Sequence, residues 1–336
     1  MERHKKDRRS FIVCILFLFA AVAFALMLGS YRMSFSEVIQ TLLGNGTKYG
    51  NFTIFEVRLP RTVLAILVAS ALGISGCVLQ GITGNPLAEP GIIGINSGAA
   101  LFAVLWISGG GAAYYSAIPA SRMIAMPMLA IAGGLFSVSL IYLLAYQKRI
   151  RQVRFLLAGI GVNAGISAII MFYQLNMSKG DFNQVLTWTN GSLWGSSWKY
   201  IQIVLPPLIL LILFIVGRSR ILDAMMLGDE LAGGIGVRVQ KERIVLFLAA
   251  AALASLATAV AGNIAFLGLL GPQIAKRLTA SRHSVRLPLA AGISAVILVV
   301  ADTLARNLFS PLEIPVGILV SIFGVPYFIY LMFDQP

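Results

Sequence analysis

The chain has 336 residues, 58% of them hydrophobic and 12% charged, with a mean hydropathy of +0.86. So much apolar surface excludes a soluble globular domain. About 20 apolar residues cross a bilayer, so roughly ten spans fit with short connections between them. The formal charge of +13, which in a soluble chain would suggest nucleic acid, is read as basic loops that fix membrane topology.

The first apolar stretch, residues 11–30, follows Arg3, Lys5, Lys6, Arg8 and Arg9. It imitates a signal peptide, with small residues at Ala21 and Ala23, but is long for one and is read as a retained helix. Nine more helices are predicted over 61–82, 91–108, 123–146, 154–175, 200–217, 243–262, 264–280, 288–306 and 314–333. The junction near Asn263 is the weakest, and without it the count becomes odd. With the N-terminus inside, most Lys and Arg fall in inner segments, which predicts an N-in, C-in protein. No low-complexity linker divides the chain, so residues 1–336 form a single transmembrane domain. Cys14 and Cys77 lie in apolar runs and suggest no disulfide framework, and no metal-ligand spacing surrounds His4 or His283.

Three stretches stand out between the helices. The inner loop 218–243 contains MMLGDELAGGIGVRVQKER, where Asp229, Glu230 and Ala232 start a short helix and Gly233, Gly234 and Gly236 end it. Periodicity leaves open whether it is a handle for a cytoplasmic partner or an interfacial connector. The stretch Gln80–Ala99, QGITGNPLAEPGIIGINSGA, carries Pro86 and Pro90, which limit helix continuation, and glycines that permit tight turns. It is read as a tight inner turn with Glu89 solvated at the surface. The alternative is irregular backbone approaching a translocation pathway. Near the end, Asp302 and Arg306 stand four apart on one helix in the favourable order, so they either neutralise one another or leave Arg306 to join Arg58 and Arg61 at the outer surface.

The sequence also argues against chemistry in this chain. No GxxxxGK[ST] loop for ATP phosphates occurs, and GIGVNAG (Gly159–Gly165) sits within an apolar helix, where it suits helix packing. No Ser/His/Asp or Cys/His set is evident.

RLPR (Arg58–Arg61), GNPLAEPGIIGINSGA (Gly84–Ala99), LLAGIGVNA (Leu156–Ala164), LGDELAGGIGV (Leu227–Val237), AGNIAFLGLLGPQIAKRL (Ala261–Leu278) and ADTLAR through EIPVGILVSIFGVPYF (Ala301–Phe328) occur in that order. Together they resemble the FecCD/BtuC-type ABC importer permeases, which take up iron–siderophore complexes, haem or cobalamin. The resemblance implies an all-α, BtuC-like fold of ten helices and a second permease subunit, identical or homologous. It also implies two cytoplasmic ABC ATPase subunits that use ATP and magnesium, and an extracellular or periplasmic substrate-binding protein. No cofactor bound by this chain and no nucleic-acid partner is implied.

Carried over residue by residue, the resemblance makes Arg58, Arg61 and Arg306 the receivers of glutamates from the binding protein, against the alternative of arginines reaching lipid headgroups. It makes Leu227, Gly228, Asp229, Glu230, Ala232 and Gly236 the segment coupled to the ATPase. The gate region RQVR (Arg151–Arg154) carries Gln152 and Val153 where the family has small hydroxyl residues. Gln273 replaces a usual His, and SRHSVR replaces a usual acidic-His-Arg stretch. The wording is most similar to Gram-positive ferric-siderophore permeases, with a catecholate siderophore of the bacillibactin type as the expected cargo. Haem or cobalamin is the alternative within the same mechanism. An ion-coupled secondary transporter is the rival from another class, and such proteins place ionisable groups near the bilayer midplane.

Overall fold

The computed structural model describes residues 2–109, 120–145, 152–279, 282–310 and 312–333. Ten helices form its bundle: α1 (Glu2–Met27), α2 (Leu59–Thr83), α3 (Ile95–Ser108), α4 (Ala120–Ala145), α5 (Gln152–Leu175), α6 (Trp198–Gly217), α7 (Val239–Ala261), α8 (Leu267–Leu278), α9 (His283–Asn307) and α10 (Val316–Phe333). All except α3 and α8 contain a stretch long and apolar enough to cross a membrane. Each expected helix has its counterpart, with shifted boundaries. The doubtful junction at Asn263 is a real break, because Gly262 and Phe266 both take positive φ and turn the chain into α8.

Side-chain contacts sort the helix ends onto two faces. On one, the Ser10 hydroxyl near the start of α1 reaches the Leu278 carbonyl at the end of α8 (3.4 Å), and Arg243 donates to the Ile82 carbonyl (3.2 Å). There too the Arg277 guanidinium lies 5.1 Å from the Tyr330 ring centroid near the end of α10. On the other face, Arg58 donates to the last carbonyls of α1 and Trp198 Nε1 donates to the Phe55 carbonyl (2.7 Å). The first and last helices therefore present their free ends to the same basic face, the arrangement expected from N-in, C-in topology.

Helices α2 and α7 form the centre of the bundle, most of each being buried, whereas α1 and α5 lie at its edge. Small residues set this spacing. A Cβ on Gly76 would stand 1.8 Å from the Gly268 carbonyl oxygen, and one on Gly271 would stand 2.0 Å from the Ser294 hydroxyl. Helices α2, α8 and α9 thus touch backbone to backbone, the packing that replaces a hydrophobic driving force between helices in lipid. Outside the bundle, short helices at Phe35–Leu42 and Lys179–Thr189 occupy what the sequence reading left as outer loops. A signal for the first was present: Ser34 and Glu37 close a capping box.

The stretch Gln80–Ala99 corrects an expectation. Glu89 is not solvated; it is 2% exposed. After Gly84 the chain folds back into the bundle, where Pro90 lies against Gly268, itself close to the Leu72 carbonyl near the middle of α2. Glu89 Oε1 accepts the Phe266 N–H (3.3 Å), which opens α8. Nearby, Asn96 donates to Asn263 Oδ1 (3.1 Å), Ser97 donates to Asn163, and Gln273 donates to the Pro86 carbonyl (2.6 Å). A carboxylate is tolerated here because the N-terminus of a helix offers unpaired N–H groups and a positive dipole end. The close approach at Gly76 makes a prediction. Gly76→Ala should lower thermal stability in detergent by the equivalent of about 1–3 kcal/mol through overpacking. Gly161→Ala on α5, where a Cβ meets nothing within 4 Å, should not. Equal melting of both variants would contradict the packing described.

Candidate functional site

Two groups of sequence-predicted residues lie at opposite faces. At the outer face, RLPR begins α2, and a helical turn separates Arg58 from Arg61. Arg61 meets Asp302 of α9 through Nε (3.0 Å) and Nη2 (2.8 Å), and its Nη1 reaches Glu313 in the segment before α10 (2.8 Å). Arg306, one turn along α9, forms an ion pair with the same Asp302 (Nε to Oδ2, 3.3 Å) without an aligned hydrogen bond, and its Nη2 donates to the Ala25 carbonyl (3.4 Å). Arg58 points to α1 and donates to the carbonyls of Leu26, Met27 and Tyr31. It thereby satisfies orphan acceptors at a helix C-terminus, where a cation also meets the negative dipole end.

Arg58, Arg61 and Arg306 are 3%, 7% and 8% exposed, so none stands open as a free surface charge. The structure brings Arg61 and Arg306 together on one carboxylate, the neutralising arrangement weighed for Asp302 and Arg306, and gives Arg58 separate work on α1. The side chain of Glu313, at 36% exposure, is the accessible part of the cluster. No local sequence signal connects Glu313 to Arg61. Their separation in the chain hides the contact, and only the shared outer depth of RLPR and LEIPVG hinted at it.

At the inner face, the segment 218–243 folds as expected in outline. Residues Ser219–Met225 form one short helix and Asp229–Gly234 another, with Gly228 and Gly236 at positive φ on either side. Asp229 is held by Arg243 of α7 (2.6 Å), and Arg218 pairs with Glu242 (3.2 Å), so both ends of the segment are fixed to α7. Ala232 is fully buried and faces the bundle. Leu227, Leu231 and Ile235, spaced four apart, are each about 60% exposed and form an apolar stripe directed away from it. Leu231 and Ile235 add to the residues expected here, and their i, i+4 spacing is visible in the sequence. Glu230 is exposed beside the stripe. Next to the segment, buried His283 donates its backbone N–H to Asp223 Oδ1 and sets Nδ1 against the same oxygen (2.7 Å each), so this departure from the family pattern still ties α9 to the helix Ser219–Met225.

The gate-region assignment falls on Arg151 and on the side chains of Gln152 and Val153, which lie outside the described residues. Among the described residues, no group of three His, Cys, Asp or Glu side chains could hold a metal ion. The outer cluster sets a stability contrast. Asp302→Ala leaves two buried guanidiniums short of their carboxylate and should cost about 3–5 kcal/mol. Glu313→Ala removes a half-exposed partner and should cost about 1 kcal/mol or less. Thermal unfolding of the two variants in nanodiscs checks the order, and an equal loss would deny Asp302 its central place.

The FecCD transport family model matches residues 15–334. The chain is 42% identical to the iron(3+)-hydroxamate import system permease FhuG of Bacillus subtilis (strain 168), over 98% of both chains. It is 37% identical to the iron-uptake system permease FeuC of the same organism, over 93% of both. Among solved structures it resembles a metal-chelate type ABC transporter in an inward-facing conformation, with a TM-score of 0.82 and 26% identity over 96% of this chain and 98% of that one. A multi-pass helical bundle of the bacterial cytoplasmic membrane, matched from end to end in sequence and in fold, belongs to the FecCD transport family of ABC transporter permeases.

Proposed function

We propose that this chain is the permease subunit of an ATP-driven importer of iron(III)–siderophore complexes, with hydrolysis performed by a separate ATPase. The observation that carries the reading is the 42% identity to a hydroxamate permease over nearly the whole of both chains. It makes ferric hydroxamates the first substrates to test, ahead of the catecholate type that the sequence resemblance suggests. The test is uptake of radioactive iron complexes into vesicles holding this chain with its binding protein and ATPase. ATP-dependent accumulation of a ferric siderophore is expected. Uptake that follows an ion gradient without ATP would overturn the reading.

The exposed stripe of Leu227, Leu231 and Ile235 supports an ATPase seat on the coupling segment, since apolar side chains on a rigid handle suit a protein cleft better than water. The exposed small residues Gly161 and Gly165 on α5, with nothing within 4 Å of their Cβ positions, support close approach of a second permease subunit. Movement of the handle would then tilt the helices that line the interface between subunits and open a path for a bulky complex.

At the outer face, three arginines against Asp302 and Glu313 leave an excess of positive charge. An acidic binding protein would meet it by taking the place of Glu313 on Arg61. Such complementarity acts chiefly on orientation and encounter rate. Two outcomes follow. Glu313→Gln, which leaves Asp302 in place, should speed association of the binding protein several-fold at low salt, measured by surface plasmon resonance; an unchanged or slower rate removes the arginines from docking. Leu231→Asp should weaken ATPase association at least tenfold, as expected for loss of a central apolar anchor, with no loss of thermal stability. Retained association in pull-down would move the seat elsewhere.

A further inference from the structure

A groove of about 450 Å³ runs along the inner half of α1, between it and α8 and α9. Lys6 and Arg9 stand at its cytoplasmic mouth, and Val13, Phe17, Ile293 and Ile297 wall its membrane end. Helix α1 touches α9 closely within the groove: Cys14 Sγ would lie 2.8 Å from a Cβ on Gly292, and Ser10 holds the Leu278 carbonyl beside it. Among the described residues no carboxylate lines the groove; Asp7 shares the first turns of α1 but is not among its walls.

We propose that this groove is a binding site for an anionic phospholipid of the inner leaflet, its phosphate between Lys6 and Arg9 and an acyl chain along the apolar walls. Four features support this occupant. The mouth is doubly cationic, and basic pockets between transmembrane helices on the cytoplasmic side suit anionic headgroups. The walls continue into surface that faces hydrocarbon, since Val13 is 42% and Phe17 63% exposed. Helix α1 is mostly unburied along its span, so lipid is its natural neighbour. Its cations also lie at the level where a headgroup sits when the tail occupies the groove, one or two helical turns along from Val13.

The test uses the full-length chain in detergent, titrated with phosphatidylglycerol or phosphatidylcholine and read by native mass spectrometry. Phosphatidylglycerol should be retained in preference to phosphatidylcholine. The double variant Lys6→Gln/Arg9→Gln should weaken its retention on the order of 25-fold, about fivefold for each cation near an anionic headgroup. Arg238→Gln/Lys241→Gln, on the same face but outside the groove, should change it less than twofold. Val13→Trp, which fills the groove and keeps both cations, should also release the lipid while leaving the fold intact by circular dichroism. The proposal is overturned if the two double variants lose lipid equally, if Val13→Trp retains it, or if millimolar inorganic phosphate displaces it as well as phosphatidylglycerol does.

Discussion

One carboxylate, Asp302, shared by Arg61 and Arg306, holds the outer half of the molecule in register. Arg61 brings α2, the most enclosed helix of the bundle along with α7, and also carries Glu313 from the entry to α10. Arg306 reaches the Ala25 carbonyl of α1, and Arg58 closes the end of that helix. Four helices therefore meet around a charge that water barely touches. Isolated charges at this depth would be costly, and each is tolerated because it meets an opposite charge or a backbone carbonyl within the chain, Arg306 Nε through an ion pair with Asp302 alone. Opposite charges fix position better than apolar contacts do, because a guanidinium donates its hydrogen bonds only in a few directions.

The inner half is held in another way. Glycines bring α2, α8 and α9 into backbone contact, while the charged ties lie around the coupling segment and concern its attachment. Glycine packing gives close approach without directional bonds, and it leaves room for the chain between α2 and α3 to re-enter the bundle. Glu89, which accepts the Phe266 N–H, and Gln273, which donates to the Pro86 carbonyl, supply polar partners that this irregular backbone requires at depth.

The ten helices were legible because a span is a local property: a run of apolar residues carries its own signal. The short helix Asp229–Gly234 was legible for the same reason, from acids at its start and glycines at its end. What escaped the sequence is non-local. Glu89 reads as a surface acid between two prolines, and nothing near it in the chain announces the N–H of Phe266 far downstream. Arg58 and Arg61 read as a pair, yet one serves α1 and the other α9. Their separate tasks depend on which carbonyls and carboxylates the fold delivers to the outer face. Leu231 and Ile235 were visible in spacing, but their exposure depends on Ala232 being the face that turns inward.

Arg243 ties three parts of the inner face together. Its guanidinium grips Asp229 at the head of the short inner helix and, through Nε, the carbonyl of Ile82 at the foot of α2. It works as a rivet joining a lever to two columns, one of which runs uninterrupted to the shared carboxylate on the far side. A displacement of that short helix would therefore reach α2 and α7 together at this side chain, beside the separate ties that Arg218 and His283 make, and α2 bridges the thickness of the membrane as one continuous strut.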